Sequence, residues 1–194
     1  VAFALKYQNE NSICRTYIGD GAMNNGQVFE SFNLASLWKL PVLYIIENNK
    51  YGMGTSVDRA AAGSDLFKRG KPFGIQGEKV DGMNVFKVIE AAYRAGKFVQ
   101  ESKGPYILEV QTYRYRGHSM SDPAKYRTKK ELEKYKSKDP IEIAHEEILK
   151  KKIVTEKELE KINKEVIKKI KDAAEYALES PFPNNKDLYT DVYI

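Results

Sequence analysis

At 194 residues, 42% apolar and 30% charged, the chain has the size and balance of one globular domain with a core, which excludes a disordered tail, a collagen-like repeat and a small disulfide scaffold. Its single cysteine, Cys14, permits no intrachain disulfide and suits a reducing compartment. The net charge of +5 is spread thinly, with acids interleaved among the lysines, so it marks solvated helix faces and not a nucleic-acid surface.

The first five residues start without methionine and lack the basic lead and cleavage site of a signal peptide. They read as the end of a helix, as expected of a piece of a larger polypeptide. Residues 12–18 are rich in β-branched and aromatic side chains and stop at Gly19-Asp20-Gly21, which predicts a strand. Over residues 26–38, Val28, Phe29, Phe32, Leu34, Ala35 and Trp38 recur at helical spacing, with Phe32 and Trp38 expected in the core or at a subunit interface. Leu40-Pro41 ends that helix. Residues 42–46 form a continuous apolar run, as a strand buried on both faces should, and Asn48-Asn49 breaks it. No such run approaches the length of a membrane span. A further helix is predicted over residues 84–102 and a third strand over 106–111. Strand–helix–strand alternation implies right-handed crossovers and an α/β fold, a parallel sheet with helices on both faces.

From about residue 124 the texture changes to Lys/Glu-rich and helical. Asp139-Pro140-Ile141-Glu142 offers an N-cap, a proline at the first helical position and an acid at the third. Thr155 and Glu158 form a capping box ahead of a stripe of Leu159, Ile162, Val166, Ile170, Ala173 and Ala177. The expected organisation is an α/β domain over residues 1–123, then a loop end and a helical C-terminal extension of the same domain over 124–194.

Gly19-Asp20-Gly21 and Asn48-Asn49 lie at the carboxyl ends of the first two predicted strands, where ligands bind in open parallel sheets. One crossover helix joins those strands, so Asp20 and Asn49 can face one point. Both carry hard oxygen donors, which suits magnesium or calcium; zinc would want His or Cys. Glycines on both sides of Asp20 let the backbone approach closely, and Gly21-Ala22 leads toward a helix N-terminus able to receive phosphate. The pieces imply a divalent cation bridging protein oxygens to a diphosphate. No P-loop stretch is present, and no Gly-x-Gly-x-x-Gly follows a strand. A simple Mg2+–nucleotide module stays open on the residues alone.

The segment from Gly19-Asp20-Gly21 to Asn48-Asn49 resembles the thiamine-diphosphate fingerprint. Around it, residues 19–27 (Gly-Asp-Gly-Ala-Met-Asn-Asn-Gly-Gln), 37–41 (Leu-Trp-Lys-Leu-Pro), 47–56 (Glu-Asn-Asn-Lys-Tyr-Gly-Met-Gly-Thr-Ser), 80–83 (Val-Asp-Gly-Met) and 115–123 (Tyr-Arg-Gly-His-Ser-Met-Ser-Asp-Pro) are similar to the α subunits of thiamine-diphosphate-dependent 2-oxoacid dehydrogenases of the pyruvate dehydrogenase E1 type. The resemblance covers essentially the whole chain, and members of that family carry a substantial segment ahead of its first residue. It departs at Asn25, where relatives usually have glutamine, and after Pro123, where animal relatives carry one more residue and a second phosphorylatable serine.

The resemblance implies the thiamine-diphosphate-binding fold, with thiamine diphosphate and Mg2+ as cofactors. Carried over by position, Asp20 and Asn49 bind Mg2+ through side chains, Tyr51 binds it through its carbonyl, and the backbone at Gly21 and Ala22 holds the diphosphate. His118, on a flexible catalytic loop spanning about residues 114–127, contacts the diphosphate, and Ser119 matches a serine phosphorylated in animal relatives. Asp122 is expected to hold that loop by pairing with a nearby arginine such as Arg127, and Gly117 to permit unusual backbone angles. The implied reaction is oxidative decarboxylation of pyruvate with acetyl transfer to the lipoyl group of E2. It would take place in an α2β2 heterotetramer with an E1 β subunit, in the bacterial cytoplasm or the mitochondrial matrix, with no membrane or nucleic-acid partner. An α subunit for another 2-oxoacid or for acetoin, or a non-catalytic truncated Mg2+–diphosphate-binding domain, remains an alternative.

Overall fold

The computed structural model describes residues 1–101 and 103–192, which fall into two compact units, Val1–Ala144 and His145–Ile194. The first unit runs α1 (Ala2–Tyr7), β1 (Cys14–Gly19), a 3-10 turn at Ala22–Asn24, α2 (Gly26–Leu37) and β2 (Val42–Asn48). A small hairpin follows, β3 (Tyr51–Gly52) with β4 (Thr55–Ser56), then α3 (Val57–Ala60) and a 3-10 segment at Leu66–Phe73. After these come β5 (Gln76–Asp81), α4 (Val85–Gln100), β6 (Tyr106–Gln111) and α5 (Lys129–Lys136). The strands lie in the order β1, β2, β6, β5, and every pair is parallel. The expected α/β architecture is present.

β2 shows why its sequence reads as unbroken apolar. Val42, Tyr44 and Ile46 pack on one face with Phe32 and Ala35 of α2, with Leu66 and with Ile107. Leu43 and Ile45 pack on the other face with Ala91, Ala95 and Val99 of α4 and with Leu108. A central parallel strand buried on both sides has no polar face to alternate with. Phe32, fully buried, meets the Tyr44 ring edge-on with 4.8 Å between ring centres. Trp38 lies half-exposed beyond the end of α2, tilted against Phe3.

β5 is absent from the sequence reading. Its residues, Gln-Gly-Glu-Lys-Val-Asp, are mostly polar because it is an edge strand paired only with β6, and Val80 alone joins the core beneath α4. α4 opens on a side-chain cap, with Asn84 Oδ1 accepting from the backbone N–H groups of Phe86 and Lys87 at 3.1 and 3.2 Å. Its expected end at Ser102 lies outside the described residues. Further along, Asp139 accepts from the Ile141 N–H at 2.8 Å to open α6 (Pro140–Lys150). In the second unit the expected capping box opens α7 (Glu156–Glu179), whose Ile162, Val166 and Ile170 remain at least half-exposed. Among the described residues no helix is long and apolar enough to cross a membrane.

Candidate functional site

β1 and β2 pair with Gly19 opposite Glu47, so the residues that follow them leave the sheet side by side. Asp20 is buried there, and its carboxylate accepts the backbone N–H of Asn49. The backbones of Gly21 and Gly52 touch. A Cβ on Gly52 would stand 3.2 Å from Gly21 Cα and 3.8 Å from Asp20 Oδ2, so a side chain there would part the two turns. Asp20, Gly21, Asn49 and Tyr51 are thereby brought together, and Ala22 follows at once as the first residue of the 3-10 turn. α2 then starts without a side-chain cap at Asn25 and without an acid in its first turn. Its leading N–H groups can face an anion.

Burial pushes the Asp20 carboxyl pKa up, while the N–H groups of Asp20 and Asn49 and the charges of Arg114 and Lys50 pull it down. The turn beside it is locked by two successive side chain–backbone bonds. Asn48 Oδ1 accepts from the Lys50 N–H at 3.1 Å, and Asn49 Oδ1 accepts from the Tyr51 N–H at 3.3 Å. Between them Lys50 adopts φ +76°, a left-handed conformation rare for a non-glycine residue. A bond to its own N–H is what offsets that cost.

Among the described residues no three His, Cys, Asp or Glu side chains gather into a metal cage. The donors at this place are instead one buried carboxylate, a carboxamide oxygen and a backbone carbonyl. All are hard oxygens carrying one formal charge, a set that fits a divalent cation sharing its coordination with phosphate oxygens and is wrong for zinc. A cation beside Asp20 would also offset the charge that burial penalises.

The loop after β6 brings His118 to the same place through Arg114. Arg114 Nη1 donates to the Tyr51 carbonyl and to His118 Nδ1, each at 3.3 Å, and Nη2 donates to the Met53 carbonyl at 2.5 Å and the Tyr126 hydroxyl at 3.0 Å. A guanidinium can only donate, so His118 Nδ1 accepts and a neutral ring carries its proton on Nε2. The loop is organised by Asp122. Its Oδ2 accepts from the His118 N–H at 2.7 Å and from the Tyr126 hydroxyl at 2.8 Å, and its Oδ1 accepts from the Ala124 N–H at 2.8 Å. These donors, the His118 N–H foremost, hold the Asp122 carboxyl below its ordinary range.

Two expectations about this loop are corrected. The arginine acting on Asp122 is Arg114, through its charge, and not Arg127, which donates to the carbonyls of Arg114 and Tyr115 and lies over the Tyr113 ring. Gly117 has no left-handed backbone angle, and its value is space, since a Cβ would stand 2.4 Å from the Asp122 carbonyl oxygen. Ser119 is exposed, with its Oγ 3.1 Å from that of Ser121.

Sequence reasoning passed over three contributors. Arg114 acts mainly on backbone carbonyls, which carry no residue signature. Glu131, in the first turn of α5, accepts from the Tyr51 and Tyr113 hydroxyls at 2.8 and 3.0 Å. Burial and that carboxylate push the Tyr51 pKa up to about 12. Glu109 is fully buried on β6 between Leu108 and Val110. A charge inside an apolar strand was a legible signal.

The sequence model described as the dehydrogenase E1 component matches residues 1–186. The whole chain aligns at 52% identity with the pyruvate dehydrogenase E1 component subunit alpha of Rickettsia felis, covering 59% of that protein. It aligns at 52% with the subunit of the same name from Rhizobium meliloti, covering 56% of it. With the testis-specific mitochondrial form of Homo sapiens the identity is 49% and the coverage of that protein 50%. The chain thus spans between half and three fifths of the length of these curated relatives.

Proposed function

We propose, because the chain belongs to the dehydrogenase E1 component family, that it is the cofactor-binding part of an E1 α subunit. The reaction is oxidative decarboxylation of pyruvate with acetyl transfer to the lipoyl group of E2, carried out with thiamine diphosphate and Mg2+. The observation that carries this reading is the contact between the Asp20–Gly21 and Asn49–Gly52 turns, which sets one buried carboxylate beside neutral oxygens at the carboxyl ends of adjacent strands. The names of the relatives support pyruvate over other 2-oxoacids and acetoin.

In this reading Asp20, Asn49 and the Tyr51 carbonyl hold Mg2+, and the backbone at Gly21 and Ala22 holds the diphosphate. The bound cofactor supplies the electron sink for decarboxylation. This chain's part is positional. Arg114 keeps the Tyr51 carbonyl in place and holds His118 by Nδ1, which leaves an Nε2–H able to donate to a diphosphate oxygen. The activating acid comes from an E1 β subunit in an α2β2 assembly, and the lipoyl domain of E2 takes the product, in the bacterial cytoplasm or mitochondrial matrix. Ser119 is a regulatory position, since a phosphate there adds about −1.5 to −2 charges next to His118.

The test is Asp20→Asn in the assembled enzyme, with thiamine diphosphate affinity measured at fixed Mg2+. Removing the one charged donor should weaken binding at least about tenfold. Folding should not suffer, because the charge that burial penalises is gone. Unchanged affinity would refute the cation assignment.

A further inference from the structure

The one fully buried carboxylate on β6 has no place in the chemistry above. Glu109 shows no exposed surface, and its neighbours on the same face of the sheet include Ile46, Ile107 and Leu66. Both of its oxygens are engaged. Oε1 accepts from Asn48 Nδ2 at 2.8 Å and from Gln111 Nε2 at 3.3 Å, and Oε2 accepts from the backbone N–H of Phe67 at 3.0 Å. Folding alone gives little reason for this, because an apolar side chain of similar volume usually serves a core as well as a buried charge does.

Both arms of the carboxylate lead to the candidate site. Along the first, Asn48 cannot flip its amide, because Nδ2 is fixed on Glu109; Oδ1 is therefore presented to the Lys50 N–H. That bond stabilises the left-handed Lys50 on which the Asn49–Tyr51 turn depends. Along the second arm, Phe67 belongs to the 3-10 segment Leu66–Phe73, and Arg69 of that segment reaches the other turn. Arg69 Nη1 donates to the Met23 carbonyl at 2.6 Å and Nη2 to Asn24 Oδ1 at 3.0 Å, in the 3-10 turn Ala22–Asn24 that follows Asp20-Gly21.

We propose that Glu109 is a positioning residue for the cation–diphosphate site: one oxygen sets the Asn49–Tyr51 turn through Asn48, and the other sets the Asp20–Ala22 turn through Phe67 and Arg69. Three donors converge on it, and only an acceptor-only group satisfies all three. Glutamine in its place can serve Asn48 or Phe67 but turns an N–H2 toward the other. The inference rests on the reading of Asp20 and Asn49 as the cation site.

The test is a Mg2+ titration at saturating thiamine diphosphate, followed by protein fluorescence, in the complete α chain assembled with its β partner. Glu109→Gln should weaken Mg2+ binding about tenfold, the scale of lost outer partners of metal ligands. Asn48→Ser should do the same. The double variant should lose no more than the larger single effect, because one arm passes through both residues. A purely structural role lowers the melting temperature but leaves the Mg2+ affinity of the folded enzyme within twofold of wild type, and that result overturns the proposal. Effects that multiply in the double variant overturn it too. Where Glu109→Gln does not fold, Arg69→Lys decides: it keeps the charge but not the two-pronged grip, and affinity within twofold of wild type refutes the second arm. Asp20→Asn runs alongside as the direct-donor control. If Asp20→Asn leaves affinity unchanged, the cation reading itself falls; if only Glu109→Gln is silent, this inference alone falls.

Discussion

Gly117→Ala is the sharpest perturbation of the loop that carries His118. The new Cβ would sit 2.4 Å from the Asp122 carbonyl oxygen and 2.9 Å from both Asp122 Cβ and Cγ. Relief to an ordinary contact of about 3.4 Å or more moves Asp122 by roughly 1 Å, since forced overlap in a packed structure is relieved by displacement. The bonds from His118 N–H and the Tyr126 hydroxyl to Asp122 Oδ2 start at 2.7 and 2.8 Å, so the same shift carries them past hydrogen-bonding range. Overpacking of this kind costs about 1–3 kcal/mol, less about 0.4–1 kcal/mol regained because alanine restricts the unfolded chain. The cost falls on a local opening of the loop and not on the sheet. At an opening equilibrium that is fast relative to cleavage, a net 1–2 kcal/mol raises the rate of proteolysis about 5- to 30-fold. Trypsin supplies the assay, with Arg116, Lys125 and Arg127 as cleavage sites in the loop. The melting temperature should move little. A first-cleavage rate within twofold of wild type would refute the reasoning.

Two further outcomes test the frame around the site. Asp65 takes Lys68 and Lys79 at 2.5 and 2.7 Å, and those two bonds lower its pKa to about 2; a carboxyl lowered on folding adds stability above its unfolded pKa, lost as pH falls toward 2. Asp65→Asn should therefore lower the urea midpoint at pH 7, and the two midpoints should converge as pH drops from 4 to 2; a constant gap would count against the ion pairs. Phe32→Ala removes a fully buried ring wedged against Tyr44 and Phe73 and should cost about 3–5 kcal/mol, read by urea denaturation; a loss under about 1 kcal/mol would place Phe32 outside the core.

What could be read from the sequence was whatever burial writes into residue type. β2 and α2 were legible because each must present apolar side chains at fixed spacing to a covered sheet. Asp20 and Asn49 were legible because a break after a buried strand marks the carboxyl end where ligands sit. β5 was not, because an edge strand paired on one side needs no apolar face of its own. The β3–β4 hairpin was not either: its strands are two residues long, and Met53 takes φ +54° at the turn where a reader looks for glycine or asparagine. The contacts that Arg114 and Arg127 make escaped for a different reason. Both act on carbonyl oxygens, and every residue has one.

The site divides into two mechanically different halves. Asp20 and Asn49 are set by backbone-to-backbone contact at Gly21 and Gly52 and by hydrogen bonds around a buried carboxylate, none of which water can easily replace. His118 hangs on bonds to Asp122 and Arg114 at the surface, each of which exchanges for a bond to water at a net cost of about 0.5–1.5 kcal/mol. Under the proposed function, a rigid clamp beside a breakable loop would let a cofactor stay while substrate and an acyl acceptor come and go. Arg114 links the two halves, since the same Nη1 touches the Tyr51 carbonyl and His118. Opening of the loop therefore withdraws one donor from the clamp. On the proposed function, the clamp's grip on a cation and diphosphate should weaken only by that bond, while access to His118 changes completely.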